Sequence, residues 1–146
     1  MKLAITDEES IVGWLYPNAF GIPTPPDTFI SLKGETPSSL RALFSCAIDS
    51  CEKKEAIIEQ YTNCDVGVTH DAPDYIDRIS KDFQCWLSSI PKHERWRVAE
   101  NWARALLNRR LNKDQQVSYK KYLTAICELA IEANEKNRFI ILIEQN

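Results

Sequence analysis

The chain has 146 residues, 44% of them hydrophobic and 27% charged, with a formal net charge of −3. That length sets one domain as the prior and lets the chain bury roughly 70% of the surface its unfolded form exposes, so folding requires no metal or disulfide staple. The composition excludes a disordered chain, and the slight acidity excludes nucleic-acid binding over the whole surface while leaving a local basic patch open.

The opening MKLAITDEES predicts a short strand over 1–6, and its apolar run meets acids too soon for a secretory signal. IVGWLY (11–16) is apolar around a glycine, so strand and short helix both stay open. PNAFGIPTPPD (17–27) holds four of the seven prolines and reads as a loop, because Pro25 and Pro26 have no N–H to give to a ladder. Phe20 and Ile22 sit within it, either folded onto the core or presented to a partner. TFISLK (28–33) alternates as a strand does.

Thr36 followed by Pro37 predicts a helix start, and Leu40, Leu43, Phe44, Ala47, Cys51, Ile57 and Ile58 carry its stripe to about Tyr61. A loop is expected over 62–74, with Asp71 capping a second helix over 73–90 whose inner face is Ile76, Ile79, Phe83, Trp86, Leu87 and Ile90. Pro91 separates this from a third helix over 92–111, and residues 112–114 read as a turn. A fourth helix is expected over 115–136, with Tyr119, Tyr122, Leu123, Ile126, Cys127, Ala130 and Ile131 inward. RFIILIE (138–144) reads as a strand buried on both faces. Its run FIILI is far short of the roughly 20 apolar residues of a membrane span. The resulting fold class is α+β and helix-dominated. About four main helices pack against a small sheet built from the N-terminal strands and the C-terminal strand 138–144, in one domain over 1–146.

The third helix, HERWRVAENWARALLNRR from His93 to Arg110, carries five arginines and two tryptophans. On a helical wheel Trp96, Val98, Ala99, Trp102, Ala103, Ala105, Leu106 and Leu107 share a wide arc, which predicts the most buried helix with both tryptophans in the core. Arg97, Asn101, Arg104 and Asn108 form the solvated back, Glu100 is placed to pair with Arg104, and Arg109 and Arg110 fall in the last turn. The charge map is lopsided. Residues 1–82 hold 7 Lys and Arg against 14 Asp and Glu, and residues 83–146 hold 11 against 7. Such asymmetry steers partners more than it sets fold.

The candidate chemistry is sparse. Cys64, Asp65, His70, Asp71 and Asp74 lie within eleven residues, but one cysteine and one histidine among hard oxygens fit neither zinc nor the spacing of a calcium loop. A Cys–His nucleophile pair has only His70 and His93 to draw on. The odd set of five cysteines (46, 51, 64, 85 and 127) contains no CxxC pair, so free thiols in a reducing cytoplasm are expected. All but the loop residue Cys64 should lie inside helices and be inert. The four glycines form no phosphate loop.

No catalytic residue, metal or cofactor is therefore expected. The composition points to a small acidic cytoplasmic binding protein that neutralises a protein partner, in the manner of the immunity proteins that inhibit bacterial toxins. Its contact surface is expected at Asp65, Asp71, Asp74, Asp77 and Asp82, joined by Phe20, against a basic toxin or nuclease domain. The alternative is a small nucleic-acid-binding module or hydrolase using the basic helix 92–111 or the loop 62–74.

Overall fold

The structure, a computed structural model, describes residues 1–7, 28–49, 74–108 and 110–145, with the backbone alone at 48, 49, 74–77, 144 and 145. In chain order these form β1 (Lys2–Thr6), β2 (Phe29–Ser31), α1 (Pro37–Asp49), β3 (Asp74–Arg78) and α2 (Lys81–Ser89). A turn of 3-10 helix at Lys92–Glu94 then leads into α3 (Arg95–Leu107), α4 (Lys113–Glu135) and β4 (Phe139–Gln145). The expected helix-dominated α+β fold is the one observed.

The sheet has the order β2-β1-β4-β3 and is antiparallel throughout. The first and last strands pair in register from Lys2 opposite Ile143 to Thr6 opposite Phe139. Strand alternation then sorts the side chains. Leu3, Ile5, Ile140 and Leu142 join the main core under the helices, while Ala4, Ile141 and Ile143 form a second buried cluster on the other face with Phe139 against it. The FIILI run is thus buried on both faces, as its lack of polar alternation predicts.

The helices supply the rest of the core. Leu40, Leu43 and Phe44 come from α1, Phe83 and Leu87 from α2, and Trp102 from α3. From α4, Tyr119, Leu123, Ile126, Cys127, Leu129, Ala130 and Ala133 are buried, while Tyr122 and Ile131 stay half-buried. A leucine or isoleucine taken fully out of water contributes about 1.5–3 kcal/mol, so this shared core is the main source of stability.

The segment expected as one helix over 73–90 is two elements. Residues 74–78 form strand β3, paired with β4 from Asp74 opposite Gln145 to Arg78 opposite Ile141. The three-residue spacing of Ile76 and Ile79 imitates a helix face. The exposed edge of β4 offers backbone hydrogen bonds that a helix there would leave unmet, and tertiary pairing wins over the local period. The helix starts only at Ser80, whose hydroxyl accepts from the Phe83 N–H at 3.2 Å. Asp71 therefore does not open this helix.

Local chemistry sets the other boundaries. Pro37 begins α1 as expected, and Ser39 Oγ accepts the Thr36 N–H at 3.4 Å. The continuation of α1 to 61 lies outside the described residues, as do the segments 11–16 and 17–27 and the loop 62–73. Asn108 (φ 46°) stops α3 in the left-handed region, so Arg110 lies beyond the helix and not in its last turn. Asn112, expected in a turn, forms a capping box with Gln115 and starts α4 two residues early. Asn137 (φ 51°) ends α4. Its N–H reaches the Asn134 carbonyl at 3.1 Å and the Arg138 N–H reaches the Ala133 carbonyl at 2.8 Å, the paired bonds of a Schellman stop. This chain has only four glycines, and asparagine, whose short polar side chain tolerates positive φ, takes their usual place after both helices.

Candidate partner-binding face

The helices α3 and α4 form an antiparallel hairpin. Arg95 at the start of α3 meets Glu128 deep in α4, while Trp102, nearer the turn, meets Tyr119. Trp102 is 0% exposed, its indole N–H donates to the Ser39 carbonyl at 2.7 Å, and its ring stands edge-on to Tyr119 at 5.1 Å. These bonds fix the rotation of α3 about its axis. The inward stripe is Arg95, Ala99, Trp102 and Ala103, with Leu106 half-buried behind it. Trp96 falls outside that stripe and is 55% exposed.

The wide apolar arc expected for α3 is corrected here. A charged residue, Arg95, takes a central inward position at 4% exposure. Its stem packs while its guanidinium donates to Glu128 at 2.7 Å, and its Nε finds no hydrogen-bond partner. Trp96 and Ala105 are displaced to the flanks and exposed, so α3 is a two-sided surface helix and not a fully buried one. The solvated back is as expected. Arg97, Asn101, Arg104 and Asn108 are exposed, Arg104 binds Glu100 at 2.8 Å, and Arg97 binds Glu94 at 3.2 Å.

Trp96 faces a groove of about 380 Å³ whose other walls are Glu100 from α3 and Gln116, Val117 and Lys120 from α4. Val117 is 67% exposed. It sits in the polar run KDQQVSYKK, off the inward stripe that begins at Tyr119. That mismatch was a readable signal, an apolar residue at a position where the stripe has no use for one. A second hollow of about 250 Å³ lies where α1, α2 and α3 meet, lined by Cys46, Trp86, Arg97, Val98 and Asn101.

The residues expected to bind a partner lie only partly among the described residues. Phe20, Asp65 and Asp71 lie outside the described residues, as do Cys51, Cys64 and His70 of the other candidate chemistry. Asp74 and Asp77, one turn apart in the expected helix, are instead three apart on strand β3. Asp82 is exposed in the first turn of α2. His93 is exposed in the 3-10 turn. No group of three metal-ligating side chains occurs among the described residues, and no helix among them is long and apolar enough to cross a membrane.

The electrostatics follow burial. Arg95 holds the Glu128 carboxyl below the usual carboxylate range, first through its hydrogen bond and then through its charge, with Lys92 adding to the effect. Burial pushes the Cys127 thiol up to about 11, against a smaller opposing pull from Arg95, so it is inert near neutral pH. Burial likewise raises the Tyr119 phenol to about 12, helped by the charge and hydrogen bond of Glu35. Cys85, expected inside α2, is exposed, because it follows Gln84 and lies off the Phe83–Leu87 stripe. At the groove an indole, an isopropyl group and a cation meet, open to solvent. No protein family, curated protein or solved structure matches the chain.

Proposed function

We propose that the chain is a non-catalytic binding protein that neutralises a protein partner by docking it on the α3–α4 face. The observation that carries this reading is the pair Trp96 and Val117, two of the most exposed large apolar side chains described, brought to one groove from separate helices. Exposed tryptophan at the rim of a desolvatable hollow is the usual anchor of a protein interface. Nucleic acid fits less well. Arg97 and Arg104 are already engaged by Glu94 and Glu100, and Glu100 forms part of the groove wall. A strand-binding surface needs repeated aromatic faces along a cationic track.

A second reading keeps the acidic stretch, Asp65, Asp71, Asp74, Asp77 and Asp82 with Phe20, as the contact surface for a basic toxin or nuclease domain. The exposure of Asp82 favours it. Both readings are tested by placing a photo-crosslinking residue at position 117 or at position 82 in cells that make the protein. The groove reading expects one discrete protein adduct from 117, absent in Trp96→Asp, and none from 82. The captured protein, purified, should lose activity when the wild-type chain is added and keep it with Trp96→Asp. An adduct from 82 alone, or a captured protein whose activity the chain leaves untouched, would overturn the groove reading.

A further inference from the structure

We infer that the α3–α4 groove takes one amphipathic helix of a partner protein, with apolar anchors flanked by carboxylates; this rests on the protein-docking reading above. Shape gives the first part. At about 380 Å³ the groove has room for one indole-sized or two leucine-sized side chains and lies along a helical hairpin. A helix delivers such anchors from one face at positions i, i+3 or i+4, whereas a flat surface cannot enter.

Charge gives the second part. Residues 92–121, which carry both walls, hold nine Lys and Arg against three Asp and Glu. Of these three carboxylates, Glu94 and Glu100 are engaged by Arg97 and Arg104 and Asp114 is exposed in the first turn of α4, while the buried Arg95 is matched by Glu128 from further along that helix. Lys113, Lys120 and Lys121 are exposed and make no ion pair among the described residues, and Lys120 stands on the groove wall itself. An incoming helix therefore meets an apolar floor with a cationic margin. Carboxylates beside its apolar stripe are steered in, and lysines or arginines there are repelled.

The experiment is selection from a displayed library of random peptides of about sixteen residues, some four helical turns, on the wild-type chain, with depletion on Trp96→Ala. The enriched peptides should carry large apolar residues three or four apart and a net negative charge. A synthetic copy of one should lose about 30-fold in affinity on Trp96→Ala, the loss typical of an anchor. It should lose about 3- to 10-fold on Lys120→Glu, with association slowing as salt rises. Val117→Asp gives an independent reading from the opposite wall. All three side chains are exposed, so each variant should keep its circular-dichroism melt within a few degrees.

Basic peptides, tighter binding by Lys120→Glu, or no Trp96-dependent enrichment would each overturn the inference. So would a thymidine oligonucleotide that binds this face more tightly than any selected peptide. If cross-linking at position 117 captures a partner through a segment that is neither helical nor acidic, this inference fails while the docking reading stands. Absence of any adduct removes both.

Discussion

Trp96 and Trp102 lie six residues apart on one helix and should behave oppositely when cut to alanine. Trp102 is fully buried, edge-on to Tyr119, and bonded to the Ser39 carbonyl. Its removal leaves a cavity that costs about 3–5 kcal/mol, as large core deletions do. It also removes the indole hydrogen bond to a buried carbonyl, and the two effects together should reach about 4–6 kcal/mol. At roughly 2–4 °C per kcal/mol for a domain of this size, the melting temperature should fall by about 10–20 °C. Trp96 is more than half exposed, so its removal should cost only about 1 kcal/mol. Trp102→Phe should fall between, since it keeps most of the ring and loses the hydrogen bond. Urea unfolding followed by far-ultraviolet circular dichroism measures all three, provided the slope stays constant across them. Unfolding free energies for Trp96→Ala and Trp102→Ala that differ by less than about 1 kcal/mol would refute the assigned rotation of α3, and the groove with it.

Other substitutions probe the parts that hold this hairpin in place. Gln84, at 0% exposure, donates to Asn134 Oδ1 at 2.8 Å and to the Arg138 carbonyl at 3.0 Å, and accepts from the Ile140 N–H at 3.1 Å. Gln84→Leu should cost about 2–4 kcal/mol in urea unfolding, because buried backbone groups lose their partners. Glu128→Gln should cost about 1–2 kcal/mol near neutral pH, a figure discounted for the half-exposed carboxylate. The folded pKa of Glu128 is depressed, so its contribution is present above the unfolded value near about 4.3 and is lost as pH falls through the folded value. The gap between wild type and Glu128→Gln should therefore close in acid, and a gap constant down to about pH 2 would count against the Arg95 pairing. With a thiol reagent at mildly alkaline pH, Cys85 should react within the mixing time allowed by exposure, and Cys127 only on unfolding. Fast native labelling of Cys127 would contradict its burial.

Much of the fold was legible because periodicity and caps agree with tertiary packing over most of the chain. The strand at 139–145, the inward stripe of α4 and the proline start of α1 each follow from a local pattern that the core also demands. The segment 74–80 was not legible, since its apolar spacing suits a helix and only the unpaired edge of β4 makes it a strand. The exposure of Trp96 was hidden for a related reason. Counting apolar residues on the wheel put Trp96 inside, because nothing in HERWRV says that an arginine will occupy the central inward position. That choice depends on Glu128, thirty-three residues away on another helix. Once Arg95 is inside, Trp96 must be outside. The two asparagine stops were hidden because glycine is the residue that usually signals them.

The measurement that bears most directly on the docking face is calorimetric titration of the protein captured by cross-linking at position 117. It should be run against wild type, Trp96→Ala, and the charge reversal of Asp74, Asp77 and Asp82 together. The α3–α4 face predicts about a 30-fold loss for Trp96→Ala and less than about a 3-fold change for the triple reversal, which leaves the groove intact. Binding abolished by the triple reversal and unchanged by Trp96→Ala would contradict it and move the contact surface to the acidic stretch.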